Sequence, residues 1–271
     1  MTSIWLKGML PAAAALIVAV SPTPAFAVIT TFASFSPLNS SSNVRWDNNS
    51  GSANGTGGSI FSLPVASSSV PGSRLVSFSF LQPELAPIVN NVTASFFLNA
   101  SVPSENPAQS FGGFLVQNSI AGSFSFFSTA PITIGGTFYA PGSNLLSGTF
   151  SDAAIAGQRN GSSGSFSGST FAGGSLNYTS DFLNFTNTVN SDFSISLTSI
   201  TSLLQAAPTN GVPNRALRDF RAVAGGTFST EPAPLISAVP EPSTWFMMLL
   251  GFGAVGAAIR RRRVIGQVEF A

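Results

Sequence analysis

A chain of 271 residues that holds no histidine and no cysteine excludes Ser-His-Asp and Cys-His catalysis, HExxH zinc sites and zinc-finger ligation at once. With no disulfide possible, stability must come from burial, and 25 phenylalanines in a chain that is only 8% charged can supply it and argue against disorder. The formal charge is +1, but four of the basic residues are the consecutive Arg260, Arg261, Arg262 and Arg263, so the balance gives no argument for nucleic acid.

The chain opens with one early positive charge (Lys7), an apolar run over Ala12–Val20 and a stretch ending Ala25-Phe26-Ala27. That layout predicts a secretory signal peptide over residues 1–27, cut after Ala27, with Ala25 and Ala27 as the small residues that signal peptidase reads. The apolar run is well short of the ~20 residues needed to span a bilayer. Signal peptidase and the export machinery are therefore expected partners.

From Val28 to about Gly226 the pattern is short alternating runs separated by Gly, Pro, Asn and Ser. Arg74–Gln82 alternates Leu75, Ser77 and Ser79 against Val76, Phe78 and Phe80, which predicts a strand with one buried face. Val92–Val102, Ser123–Ser128, Pro131–Ala140 and Asp192–Ile200 read the same way, and the clusters Asn48–Gly58 and Asn160–Ser165 read as turns. Only Ala153–Gln158 and Asn214–Val223 suggest short helices. A small unit, Gly then Ser or Thr then Phe, recurs at Gly122, Gly136, Gly148, Gly164 and Gly226, with the first four starts 14, 12 and 16 residues apart. It predicts a strand that leaves a Gly turn, sends Phe inward and turns hydroxyls outward. The uneven spacing argues against a solenoid. The expected fold is all-β: a β-sandwich or jelly-roll-like antiparallel domain over residues 28–230.

Little in this domain carries chemistry. Asp181 and Asp192 are the pair that could converge as glycosidase carboxylates, but solvated strand-end aspartates are the commoner arrangement, and the chain is expected not to be an enzyme. Trp46–Gly55 is Asn/Asp-rich but lacks the D-x-[DN]-x-[DN]-G calcium pattern, so a turn is expected, with no metal and no cofactor. Trp46 is the domain's lone tryptophan and the speculative contact for a sugar ring, against the commoner core role. Arg215, Arg218 and Arg221 would line one side of a helix, most simply as a solvated face paired with Asp219. Hydroxyl-rich outer faces leave carbohydrate or ice as alternative ligands.

Residues 231–239 form a Pro-rich, extended linker. Ser243–Ile259 is uncharged over 17 residues, roughly 25 Å as a helix against a hydrocarbon core of ~30 Å, which predicts one short transmembrane helix. Trp245 sits at its outer edge and Arg260, Arg261, Arg262 and Arg263 at its far end, predicting an N-out, C-in topology with 264–271 as a cytoplasmic tail.

The stretch Pro240-Glu241-Pro242, two residues, Trp245, then Met247, Met248, Gly251 and Gly253 and the cluster Arg260–Arg263 resembles the PEP-CTERM sorting signal of Gram-negative bacteria, in its PEPxxW form. The same motif also carries the label of an ice-binding protein C-terminal domain. The resemblance covers residues 240–263, with Phe246 where Ala is more usual and a tail beyond the arginines. It implies recognition by exosortase, a membrane cysteine protease-transpeptidase, and an inner-membrane intermediate. Delivery to the cell surface or the exopolysaccharide matrix of a biofilm would follow, with exopolysaccharide as a further partner. Pro240, Glu241, Pro242 and Trp245 would be substrate elements, and Arg260, Arg261, Arg262 and Arg263 the cytoplasmic stop.

Overall fold

The computed structural model describes residues 30–48, 57–102, 106–206, 216–230 and 232–234, together with Phe252. The expected signal peptide with Ala25 and Ala27, Arg215, most of the linker and, apart from the helical Phe252, the helix expected over 243–259 lie outside the described residues. So do Pro240, Glu241, Pro242 and Trp245 of the sorting motif, and Arg260, Arg261, Arg262 and Arg263 of the expected cytoplasmic stop. Among the described residues no helix is long and apolar enough to cross a membrane.

In chain order the strands are β1 (Thr30–Pro37), β2 (Val44–Asp47), β3 (Gly58–Ser62), β4 (Arg74–Phe80), β5 (Val92–Val102), β6 (Gln109–Phe111), β7 (Phe114–Ser128) and β8 (Ile132–Ile134). They continue with β9 (Thr137–Tyr139), β10 (Asn144–Gln158), β11 (Gly164–Ser169), β12 (Leu176–Thr179), β13 (Leu183–Asn184), β14 (Asp192–Thr201), β15 (Phe220–Thr230) and β16 (Ala233–Pro234). The all-β class follows from the period-2 alternation. The two short helices do not form: Ala153 and Ile155 are buried with Ala154 and Ala156 turned away, so that segment completes β10, and Phe220 opens β15.

β1, β4, β5, β7, β10, β11, β14 and β15 pair in that order, and β15 returns to β1, every pairing antiparallel. The expected sandwich is corrected accordingly: one twelve-stranded sheet closes on itself as a barrel and leaves no two separable sheets. Alternation fixes which side chains face inward, but not which strand edges meet. Eight strands enclose a space that side chains can fill, and here phenylalanine fills it. Phe96 stacks on Phe126 at 5.0 Å between ring centroids, Phe124 lies 4.9 Å from Phe228, and Phe150 lies 5.0 Å from Phe193.

The recurrent Gly–Ser/Thr–Phe unit works differently from the expected turn. Phe124, Phe150, Phe166 and Phe228 do point inward, but Gly122, Gly148 and Gly226 lie inside strands. Gly148 pairs across with Phe124, and a Cβ there would come 2.4 Å from the Phe124 ring. A neighbouring aromatic thus covers a strand glycine, the arrangement that offsets the lost side chain. The unit at Gly136 is an exception: Phe138 is exposed, because Pro131–Ala140 is no single strand but the β8–β9 hairpin, turning at Gly135 and Gly136 with φ of 57° and 85°.

One wall of the barrel is split. Along β5 the edge is shared by β4 and β3, and along β15 by β1 and β2, so each long strand has a gap in its ladder. Two buried side chains close these gaps. Asn43 takes the Ala224 N–H at 2.6 Å and donates to the Ala224 carbonyl at 2.9 Å; Ser62 Oγ takes the Leu98 N–H at 2.9 Å and donates to Gly72 O at 2.7 Å. Replacing Asn43 by alanine leaves both Ala224 groups buried and unpaired, at ~1–3 kcal/mol each. A fall of about 2–4 kcal/mol in unfolding free energy is expected by urea denaturation, with Asn43→Asp at least as costly at neutral pH because its buried carboxylate would face the Ala224 carbonyl.

The barrel has two rims. One gathers the start of β1, the connections 81–91, 129–143 and 170–191, and the end of β15 leading to β16; the other gathers the connections 103–113, 159–163 and 202–219.

Candidate functional site

Trp46 does not offer a ring to a ligand. It is fully buried, its Nε1–H donates to the Leu217 carbonyl at 2.8 Å, and its indole stacks on Phe220 at 6.4 Å with 10° between planes. Gly58 makes the room, since a Cβ there would fall 2.2 Å from the indole. The sugar-stacking expectation is thereby corrected. Sequence could not separate the cases, because Arg45 and Asp47 sit on either side of Trp46 on an alternating strand and face the other way. Those flanking charges form ion pairs instead, Arg45 to Asp47 at 3.0 Å and to Asp219 at 3.4 Å.

The arginine row dissolves as well. Arg218 donates to Gln205 Oε1 at 2.7 Å, while Arg221, on β15, donates to the Ala66 and Ser67 carbonyls. Both guanidiniums thereby pin loops, and a three-residue spacing along extended chain puts them on opposite faces.

Asp181 and Asp192 act structurally. Asp181 is exposed and its Oδ2 accepts from the Asn144 N–H at 2.7 Å, closing the start of β10. Asp192 opens β14, and its backbone carbonyl accepts a hydrogen bond from the Tyr178 hydroxyl. Among the described residues no group of three His, Cys, Asp or Glu could hold a metal ion.

Tyr178 is the one ionisable group among the described residues with a clear perturbation. Burial, reinforced by the Asp192 carboxylate, holds its phenol well above the usual 10.0. A group raised on folding contributes stability that is complete below its unfolded value and is lost as pH climbs toward the folded one. Above about pH 10 the chain should therefore lose up to ~1.4 kcal/mol per pH unit that a Tyr178→Phe chain keeps. Denaturant midpoints of the two chains between pH 8 and pH 12 check this, and parallel curves would refute it.

The outer wall is where the barrel meets its surroundings, and hydroxyls dominate it. Ser167 of β11, Ser194 of β14, Thr227 of β15 and Ser34 of β1 are successive cross-strand partners, forming one row over four strands. Beside that row Gly225 and Gly226 leave β15 bare. The result is an open groove of about 480 Å³, flanked by Ser34 and Ser36 on one side and Ser194, Ser196 and Thr198 on the other. Ser196 Oγ donates to the Gly225 carbonyl at 2.9 Å and Thr198 Oγ1 to the Val223 carbonyl at 3.2 Å. No charged side chain lines this groove. Sequence foretold outward hydroxyls, but not their alignment, which depends on strand register. A second cleft of about 380 Å³ lies between Ile88–Thr93 and Ser128–Thr133 at the first rim, the chain-exit rim where β15 leads on to β16.

Comparison with known proteins adds one finding. Residues 238–263 match the family model described as the PEP-CTERM protein-sorting motif, a span that includes Pro240, Glu241, Pro242, Trp245, Arg260, Arg261, Arg262 and Arg263. No curated protein and no solved structure matches the chain.

Proposed function

We propose that the barrel is a non-enzymatic cargo domain, delivered by the C-terminal motif to the envelope or the exopolysaccharide matrix, where it acts structurally. The chain carries a PEP-CTERM sorting motif at 238–263, which marks a protein for export and for exosortase-dependent sorting toward the cell surface, and this observation carries the reading. Its setting supports it: a signal-peptide pattern at the other end, and a barrel whose interior is filled by Phe and in which the carboxylates of Asp181 and Asp219 accept from backbone N–H groups while Asp47 and Asp219 pair with Arg45. In this reading residues 1–27 are removed on export, Ser243–Ile259 holds the chain in the inner membrane with N-out, C-in topology, and Arg260–Arg263 stay in the cytoplasm. Mass spectrometry of the mature chain, from cells with and without exosortase, tests it. Loss of the C-terminus only where exosortase is present is expected; a C-terminus intact through Ala271 in both would end the sorting proposal.

The uncharged hydroxyl groove over Gly225 and Gly226 favours a second reading, a surface module for neutral carbohydrate. A glycan array on the purified barrel, with an ice-recrystallisation assay beside it, separates the two, since a purely structural domain gives blank results in both.

A further inference from the structure

We propose that the chain-exit rim is an apolar footing that rests on zwitterionic lipid, on the same bilayer that holds the C-terminal segment. The inference rests on the membrane hold proposed above and adds a second contact, made by the folded domain itself.

The rim carries large apolar side chains that nothing in the barrel covers. Leu81 is 47% exposed, Ile88 41%, Phe138 67%, Phe171 65% and Val189 79%, and each lies on a connection of this rim. These connections come from separate parts of the chain, so the patch is a property of the fold and not of one apolar loop. One of the residues sits on a tight turn and another just beyond one, where polar residues are the rule. Phe138 is next to the Gly135–Gly136 turn of the β8–β9 hairpin, and Phe171 is in the 3-10 turn Thr170–Ala172, which Gly173 closes with φ of 87°. Single exposed apolar residues need no explanation, whereas several gathered on one rim do.

The chain's own course says what lies beneath them. β16 ends at Pro234 on this rim, and the uncharged segment of the sorting motif begins at Ser243. Nine Cα-to-Cα steps at ~3.3–3.6 Å each reach at most ~32 Å, so a bilayer that holds the segment stays within that distance of the rim. A leash this short raises the effective concentration of lipid at the rim, and contacts too weak to bind alone become sufficient. Charge selects the lipid. Among the described residues this rim carries Glu84 and Asp181 but no arginine or lysine, which disfavours anionic headgroups and leaves apolar insertion at a neutral interface.

The opposite rim supplies an internal comparison. Phe111 and Phe114 are 62% and 57% exposed there, at the Gly112–Gly113 turn, but β7 runs 15 residues between the rims and holds them away from the leash.

Because the chain has no cysteine, one introduced cysteine gives one labelled position. The full chain would be reconstituted into phosphatidylcholine vesicles with nitroxide-bearing lipid, carrying a fluorophore at Phe138→Cys, Phe114→Cys or Ala254→Cys. Quenching at 138 and 254 at least twofold stronger than at 114 is expected, with the 138 signal weakened by phosphatidylglycerol and insensitive to salt on neutral vesicles. Quenching at 254 but not at 138 overturns the footing and leaves the membrane hold standing. Equal quenching at 138 and 114 overturns it too, as does protection of 138 that appears without lipid and grows with protein concentration, the mark of a second copy on this face. No quenching at 254 overturns the membrane hold and this inference with it. Phe138 and Phe114 are exposed, so far-UV circular dichroism of those two variants should be unchanged.

Discussion

Phe124→Ala is expected to lower the stability of the barrel by about 3–5 kcal/mol, the range for deleting a large buried aromatic. Phe124 is 2% exposed and meets five other rings: Phe126, Phe150, Tyr178, Phe193 and Phe228, at centroid distances from 4.9 to 6.2 Å. Collapse into the vacated space is hindered, because its neighbours belong to strands whose ladders fix their positions. Against a total stability of ~5–15 kcal/mol this is a large fraction, readable as a lower urea midpoint with an unchanged slope. The opposite error should also register. Gly148→Ala drives a methyl into the Phe124 ring and is expected to cost about 1–3 kcal/mol as overpacking. Combined with Phe124→Leu, which frees space over Gly148, it should cost less than the sum of the two single changes, by about 0.5 kcal/mol or more, as is typical of touching residues. Strict additivity would mean that the glycine does not make room for the ring.

The features legible in the sequence were local ones. Alternation in Arg74–Phe80 and Val92–Val102 named the inward side chains, since period 2 is a property of a single strand. The long strands β7 and β10 were harder. Ser119 and Asp152 adopt φ of 59° and 54°, and at such irregularities the alternation slips and one strand reads as two. The recurrent glycines looked like turns because their use depends on a ring from the neighbouring strand, as Gly148 depends on Phe124. Asn43 gave no signal at all, since its partner Ala224 is 181 residues away. For the same reason the groove over β15 is invisible in sequence: β1 and β14 meet on its two sides only after closure. The sorting motif is the reverse case. It is recognised as a linear stretch, so its residues carry the whole signal in order and need no fold to bring them together.

Anchoring and recognition within that stretch should separate by substitution. Changing Arg260, Arg261, Arg262 and Arg263 together to glutamine is expected to release the chain from the inner membrane, with membrane-bound material falling about tenfold or more. Each arginine at the centre of a bilayer costs ~2.5–3.5 kcal/mol on insertion scales, so four in a row form a barrier to full translocation. In the proposed reading Ser243–Ile259, roughly 25 Å if helical, is too short to hold reliably without them, because the ~30 Å core must thin or the segment's ends must sink to meet it. Changing Pro240 and Glu241 to alanine leaves the apolar run and the arginines untouched. That chain should accumulate in the inner membrane above its normal level and keep its C-terminus through Ala271. Fractionation followed by mass spectrometry of the C-terminal peptide reads both outcomes at once. If the glutamine chain stays membrane-bound, the arginines are not the stop. Normal processing of the alanine chain would mean that the Pro-Glu-Pro is not what the processing enzyme reads. The two variants therefore test the two halves of the motif independently, and neither changes a residue of the barrel strands.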